Sequence, residues 1–252
     1  MTADLWQPRS SCGPSCLPVP GTTPRVVPPV RIWRLLAVVG VVLAGALVLP
    51  VLPRLMRAIA RGVLRCLGIR LRIRGQLPDH RALLVANHVS WLDILVVLAV
   101  TPARLVAKHE VRGWPLVGGP AAAVGTIFID RSRPRSLPDT VGEATDALRA
   151  GHVVAVFPEG TTWCGRATGR FRPALFQAAL DAGAPVVPVT LRFHLTDGGG
   201  TTAAAFLGEE TLWDSLRRVL SVRGLVVSVA AGAAVHSTPG MDRRTLARVA
   251  QA

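Results

Sequence analysis

The segment Asn87-His88-Val89-Ser90-Trp91-Leu92-Asp93 places an imidazole and a carboxylate five residues apart. An imidazole held through one nitrogen by a carboxylate can take a proton from an alcohol with the other, as that alcohol attacks an acyl carbonyl. The pair cannot form on one continuous helix, where side chains five apart point about 140° away from each other. A strand-to-helix turn solves this. The apolar run ending at Ala86 reads as a strand and Ile94–Leu98 as helix. Ser90-x-x-Asp93 has capping-box spacing, so the carboxylate reaches back towards the residues ahead of the helix and can face His88. The competing reading makes Asp93 a plain helix cap and His88 an ordinary turn residue.

Three later segments bear on that choice. Gly125-Thr126-Ile127-Phe128-Ile129-Asp130-Arg131 reads as a strand ending in a guanidinium at the sheet rim. Such a group can grip a phosphate in bidentate fashion, or simply be a solvated surface arginine. Phe157-Pro158-Glu159-Gly160-Thr161 leaves a buried strand through a rigid Pro and a permissive Gly, presenting a carboxylate and backbone N–H groups, with Arg166, Arg170 and Arg172 following. Pro188 lies inside an apolar run that reads as a strand, where Pro is tolerated at an edge or a bulge. No P-loop, dinucleotide fingerprint, HExxH or Gly-x-Ser-x-Gly elbow occurs, so nucleotide, zinc-hydrolase and serine acyl-enzyme chemistry have no local support. His80, His109, His152, His194 and His236 lack settings comparable to that of His88.

Taken together, the four segments resemble, in order, the four motifs of the glycerophospholipid acyltransferase family, typified by bacterial 1-acylglycerol-3-phosphate acyltransferases. Asn87, His88 and Asp93 match the first; Gly125–Arg131 the second; Phe157–Thr161 with Gly165, Phe171 and Arg172 the third; Val187-Pro188-Val189 the fourth. The resemblance implies His88 as general base and Asp93 as its orienting carboxylate. It implies substrate contacts from Asn87, Arg131, Glu159, Gly160, Thr161, Arg172 and Pro188, with Arg131 on the acceptor's phosphate and Pro188 near the acyl pocket. The donor is acyl-CoA or acyl-carrier protein, the acceptor a lysophospholipid; no cofactor and no metal are implied. One departure stands out. Where the lysophosphatidate enzymes continue the third motif with Arg, this chain has Thr162, followed by Trp163 and Cys164; related members with Thr there include lyso-ornithine lipid enzymes.

These residues need a scaffold of strands and helices. Arg81–Ala86, Gly125–Asp130, His152–Phe157, Val186–Phe193 and Leu225–Val229 read as strands. Asp93–Val100, Pro138–Ala150, Pro173–Ala182 and Thr211–Leu220 read as helices, with Gly151 placed to end the second. The expectation is an α/β domain over residues 70–240, a mixed, mostly parallel sheet flanked by helices, followed by a C-terminal helix or tail over 241–252.

Ahead of it, residues 1–30 hold seven prolines and no apolar periodicity, the composition of a disordered tail. Residues 31–68 form an anchor. Leu35–Leu52 is uncharged, near the length a spanning helix needs. Arg54, Arg57, Arg61 and Arg65 then follow on one face of an amphipathic helix. The anchor reads as either spanning or monotopic.

Half the residues are hydrophobic, mean hydropathy is +0.41 and the net charge is +14, nearly all from arginine, Lys108 being the sole lysine. Excess apolar surface with positive charge fits an anionic lipid surface. Nucleic acid is not expected as a partner, since no reading module is present. The implied location is the cell membrane, with the catalytic domain on the cytoplasmic side by the positive-inside rule. Cys12, Cys16, Cys66 and Cys164 form no CxxC pair and read as unpaired thiols, with a bridge or metal at Cys12 and Cys16 the less favoured alternative. A non-catalytic membrane adaptor is the remote alternative, disfavoured because both His88 and Asp93 are retained.

Overall fold

The structure, a computed structural model, describes residues 8–19, 21–49, 51–114, 117–130 and 132–252. Its centre is set by three apolar runs. β2 (Ala82–Ala86) is buried at every position and lies between β5 (Val153–Val156) and β6 (Val186–Leu195), parallel to both, with Val85 opposite Val156 and Pro188. Near-continuous apolar strands of this kind are what a parallel sheet covered on both faces demands. β1 (Arg70–Arg74), β3 (Ala103–Lys108), β4 (Ile127–Ile129) and β7 (Leu225–Ala231) complete a seven-stranded sheet of order β1-β7-β6-β2-β5-β3-β4. Only the β6–β7 pair is antiparallel, so the sheet is mixed and mostly parallel.

Side-chain alternation divides the core into two layers. Leu84 and Ala155 face a layer formed with α2 (Met56–Cys66), α3 (Leu92–Val100) and α7 (Leu212–Ser221). Leu83, Val85, Val154 and Val156 face the other, formed with α5 (Leu137–Arg149), α6 (Phe176–Ala182) and α8 (Arg243–Gln251). A short α4 (Gly118–Ala123) follows β3. The sequence reading omits β1, β3 and α4. β1 alternates arginine with leucine and isoleucine on an exposed edge, and β3 carries Arg104 and Lys108, so neither gives the apolar run by which the central strands are recognised.

At the N-terminus α1 (Pro28–Val48) starts earlier than the apolar stretch suggests. Pro28 and Pro29 suit the first helical turn. The charges are satisfied: Arg31 Nε donates to Val26 O at 3.2 Å, and Arg34 Nη1 donates to the carbonyls of Leu220 and Val222 at 3.0 and 2.8 Å. α1 then folds back against α2 through glycines. A Cβ on Gly45 would meet Ile59 Cγ2 at 3.1 Å, and one on Gly62 would meet Val41 Cγ1 at 3.4 Å. Ile32, Leu36, Val39, Leu43 and Leu47, spaced at three and four, stay exposed along one side of α1, an apolar stripe of the kind that meets a lipid or protein surface.

The stretch expected as a tail differs from that expectation over residues 8–19. Cys12 is 8 % exposed and joins the core, with Cys16 and Leu17 packed beside it. A small thiol behaves as an apolar group, and this one finds a covered site on the domain.

Candidate active site

The site sits at the carboxyl ends of β2 and β5, the edge where open α/β sheets hold their ligands. Asn87 and His88 follow β2, and Phe157–Thr161 follow β5. Asp93, fully buried in the first turn of α3, turns back on the strand exit. Its Oδ2 accepts from His88 Nδ1 at 2.9 Å, Val89 N at 2.6 Å and Ser90 N at 2.7 Å. The two sequence readings therefore merge, since one oxygen caps the turn and holds the imidazole. With Nδ1–H donated to Asp93, Nε2 is left as the basic nitrogen, on a side chain 19 % exposed.

His88 is fixed from the other side by the third-motif segment. Its ring stacks on Phe157 with centroids 4.3 Å apart and planes inclined by 18°. Its backbone N–H donates to Glu159 Oε2 at 2.6 Å, and its carbonyl accepts from Trp163 N at 2.7 Å. Glu159, 3 % exposed, spends its second oxygen on Gly169 N at 2.8 Å. Burial raises its pKa, opposed by those two amides and by His88. Glu159 thus stands as a brace between two loops, with both oxygens occupied by backbone rather than presented to solvent. Gly160 closes the turn, its N–H donating to Phe157 O at 3.0 Å; φ is +75°, a conformation that favours glycine.

Asn87 clamps two strands. Its Nδ2 donates to Leu191 O at 3.1 Å and its Oδ1 accepts from Leu191 N at 2.7 Å, extending the β2–β6 pairing past the strand end. Pro188 lies in a central strand, not at an edge. β7 departs here: Gly232 N donates to Pro188 O, while the next antiparallel bridge pairs Val186 with Val235. One extra residue on that side makes a bulge, so the missing proline N–H costs no ladder bond. Thr161 is half-buried in the same loop as Gly160, and Arg172 is exposed, its backbone N–H donating to Pro158 O at 2.9 Å. Arg131 lies outside the described residues; its neighbour Asp130 accepts from Ser132 and has its pKa lowered chiefly by that bond.

Several contacts that support the site escape sequence reasoning. Thr162 Oγ1 donates to Phe206 O, pinning the loop to residues 203–207. Trp163 lies over Gly169, where a Cβ would collide with the indole. Gln251, from α8, donates to Gly169 O at 2.7 Å and accepts from Phe171 N at 2.8 Å. Cys164 is buried beside Cys12. Burial alone would raise its pKa, but the amides of Ala167 and Arg166, with the Cys12 and Cys16 thiols, outweigh it and hold the thiol below its usual range. These contacts join segments far apart in sequence, and no local pattern announces them.

A histidine held by a buried carboxylate at a parallel-sheet rim and stacked on the motif loop is an arrangement suited to acyl transfer, and comparison with known proteins agrees with that class of enzyme. The acyltransferase family profile matches residues 68–192. The chain is 36% identical over 190 residues to 1-acyl-sn-glycerol-3-phosphate acyltransferase of Neisseria meningitidis, covering 75% of this chain and 74% of that one. It is also 36% identical over 211 residues to lyso-ornithine lipid O-acyltransferase of Pseudomonas aeruginosa, covering 83% and 80%. Its fold matches the crystal structure of the 1-acyl-sn-glycerophosphate acyltransferase PlsC from Thermotoga maritima with a TM-score of 0.63 at 21% identity, over 88% of this chain and 90% of that one. The chain belongs to the glycerophospholipid acyltransferase family. It is an acyltransferase enzyme of lipid biosynthesis, and its apolar α1 fits association with a membrane.

Proposed function

We propose that the enzyme moves a fatty acyl group from acyl-CoA or acyl-carrier protein to the sn-2 hydroxyl of 1-acylglycerol-3-phosphate, giving phosphatidic acid. The observation that carries the chemistry is the His88 Nδ1–Asp93 Oδ2 contact, which leaves Nε2 basic. Nε2 takes the hydroxyl proton as the oxygen attacks the thioester carbonyl. Asp93 stabilises the imidazolium so formed. The tetrahedral intermediate collapses, the carbon–sulfur bond breaks, and the imidazolium returns its proton to the departing thiolate. Backbone amides near Gly160 are our choice for the oxyanion donors. Exposed Arg166, Arg170 and Arg172, together with Arg131, supply the charge for the acceptor's phosphate.

A second reading, lyso-ornithine lipid as acceptor, is favoured by Thr162, which stands where a phosphate-binding arginine would be and is engaged with Phe206 instead. Purified enzyme in detergent, given labelled acyl-CoA and either acceptor, separates the two. Transfer to lysophosphatidic acid that disappears in His88→Ala supports the first reading; His88-dependent transfer to lyso-ornithine lipid alone supports the second. Undiminished transfer in the variant overturns the general-base role.

We place the enzyme on the cytoplasmic face of the cell membrane as a monotopic protein. α2 packs back along α1 and carries Arg57, Arg61 and Arg65, with Arg54 in the turn before it; a spanning α1 would draw that arginine face into the hydrocarbon, at a cost of about 2.5–3.5 kcal/mol for each arginine at the centre. Lying in the interface, α1 buries its exposed stripe while the exposed Arg54 and Arg65 meet anionic headgroups and Arg61 stays bonded to Ala99 O at 2.7 Å.

A further inference from the structure

Three thiols kept apart in sequence meet beside the active-site loop. The Sγ atoms of Cys12, Cys16 and Cys164 all lie within 4.8 Å of one another, with Cys12 and Cys164 buried and Cys16 half-buried. Tetrahedral zinc holds sulfur at about 2.3 Å, which sets its sulfurs about 3.8 Å apart, so closing this triangle on an ion needs only a small contraction.

A separate observation points the same way, since hydrogen-bond donors converge on the sulfurs. The backbone amides of Arg166 and Ala167 bond to the Cys164 side chain. The Cys164 amide donates to Cys12 Sγ at 3.4 Å, and Ser10 bonds the Cys12 side chain. Donors of this kind orient sulfur ligands as the outer partners of a bound ion. Gly165 makes the arrangement possible. With φ at +83° it turns the chain directly after Cys164, so that the next two amides face back on the sulfur. A disulfide would join only two of these thiols; one between Cys12 and Cys16 would leave Cys164 buried with its amide donors unanswered.

We propose that Cys12, Cys16 and Cys164 bind a thiophilic divalent cation of the zinc class, with one coordination position left to solvent. The ion would staple residues 8–19 to the segment 163–169, from which Trp163 N–H holds the His88 carbonyl and Gly169 N–H holds Glu159. It is a structural element next to the catalytic base. Binding by this cluster is independent of which lipid the enzyme acylates.

The test uses the full chain in detergent, loaded with zinc alone, freed of excess ion and analysed by mass spectrometry for bound metal. Wild type and Cys66→Ser, whose thiol lies on α2, are expected to retain about one zinc per chain, and Cys12→Ser, Cys16→Ser and Cys164→Ser to lose affinity by about tenfold or more. Because a variant could misfold, wild-type protein decides independently. Zinc should protect Cys12, Cys16 and Cys164 but not Cys66 from alkylation, and cobalt should give a thiolate charge-transfer band. Folded wild type that binds no zinc, equal retention in all three variants, or a disulfide between any two of these cysteines in freshly purified protein would overturn the proposal.

Discussion

Glu159 Oε2 accepts the backbone N–H of His88 at 2.6 Å, while its Oε1 accepts that of Gly169 at 2.8 Å. The loop carrying His88 and the segment around Gly169 thus share one buried carboxylate. Glu159→Gln keeps one acceptor but turns an NH2 group towards the other amide, leaving a buried donor facing a donor. A loss of about 1–3 kcal/mol is expected, read as a lower midpoint in thermal or urea unfolding. Activity measured well below that midpoint should fall through kcat more than through KM, because the base is misplaced. A rise confined to acceptor KM would instead make Glu159 a substrate contact.

Asp93→Asn separates orientation from charge. The amide oxygen can still receive the Val89 and Ser90 amides, so the turn should survive. What is lost is the carboxylate charge that stabilises the imidazolium, since the same oxygen can still accept from His88 Nδ1. A fall in kcat of about 10³–10⁴-fold is expected, the scale seen when a histidine base loses its carboxylate, with near-native circular dichroism. Loss of folded protein with no folded fraction to assay would show that capping is the larger part of its role.

The pairing of His88 with Asp93 is legible in the sequence because it is local: five residues, a strand exit and a helix start determine it. The central strands β2, β5 and β6 are legible because burial on both faces requires unbroken apolar runs. What holds the site in place is not legible. Asn87 meets Leu191 104 residues away, and Gln251 meets Gly169 82 residues away. The same distance hides the thiol cluster, since Cys12 and Cys164 are 152 positions apart and spacing rules see only Cys12 and Cys16. Glu159 carries the opposite lesson. A conspicuous carboxylate in a motif loop invites a ligand role, and only the structure shows that it is buried with both oxygens accepting from backbone amides.

Asn87→Ala removes both hydrogen bonds to Leu191 and leaves that residue's N–H and C=O unpaired at the strand end. A destabilisation of about 2–3 kcal/mol is expected. Asn87→Asp should be comparably harmful, because a carboxylate accepts from Leu191 N but repels Leu191 O. If chemical denaturation showed Asn87→Ala within error of wild type, the clamp would be incidental.

His152 gives the fold a pH dependence. Burial, then the charge of Arg104 whose Nη2 lies 2.7 Å from His152 Nε2, lowers its pKa below the usual histidine value near 6.5. The unfolded chain therefore holds more protons than the folded one between the two values, and stability rises with pH across that window. The contribution is complete above about pH 6.5 and is lost as pH falls through the folded value. Comparing melting temperatures of wild type and His152→Gln at pH 8 and pH 5.5, wild type should lose more on acidification. Parallel losses would remove His152 as the cause.

Thr162 offers the sharpest test of acceptor choice. Its hydroxyl donates to Phe206 O from a half-buried position, so the loop is tied at the position where the lysophosphatidate enzymes carry arginine. Thr162→Ser preserves the donor and should leave both melting temperature and acceptor ratio unchanged. Thr162→Arg gives up that bond, leaving a carbonyl without its partner at a cost of about 1–3 kcal/mol, and adds a guanidinium suited to phosphate. Measured as the ratio of kcat/KM for lysophosphatidic acid to that for lyso-ornithine lipid, preference should move towards the phosphate by about tenfold, the equivalent of one added charge-assisted bond. A ratio that stays fixed while Thr162→Arg loses stability would mean that Thr162 anchors the loop and that the acceptor is chosen by the exposed arginines downstream.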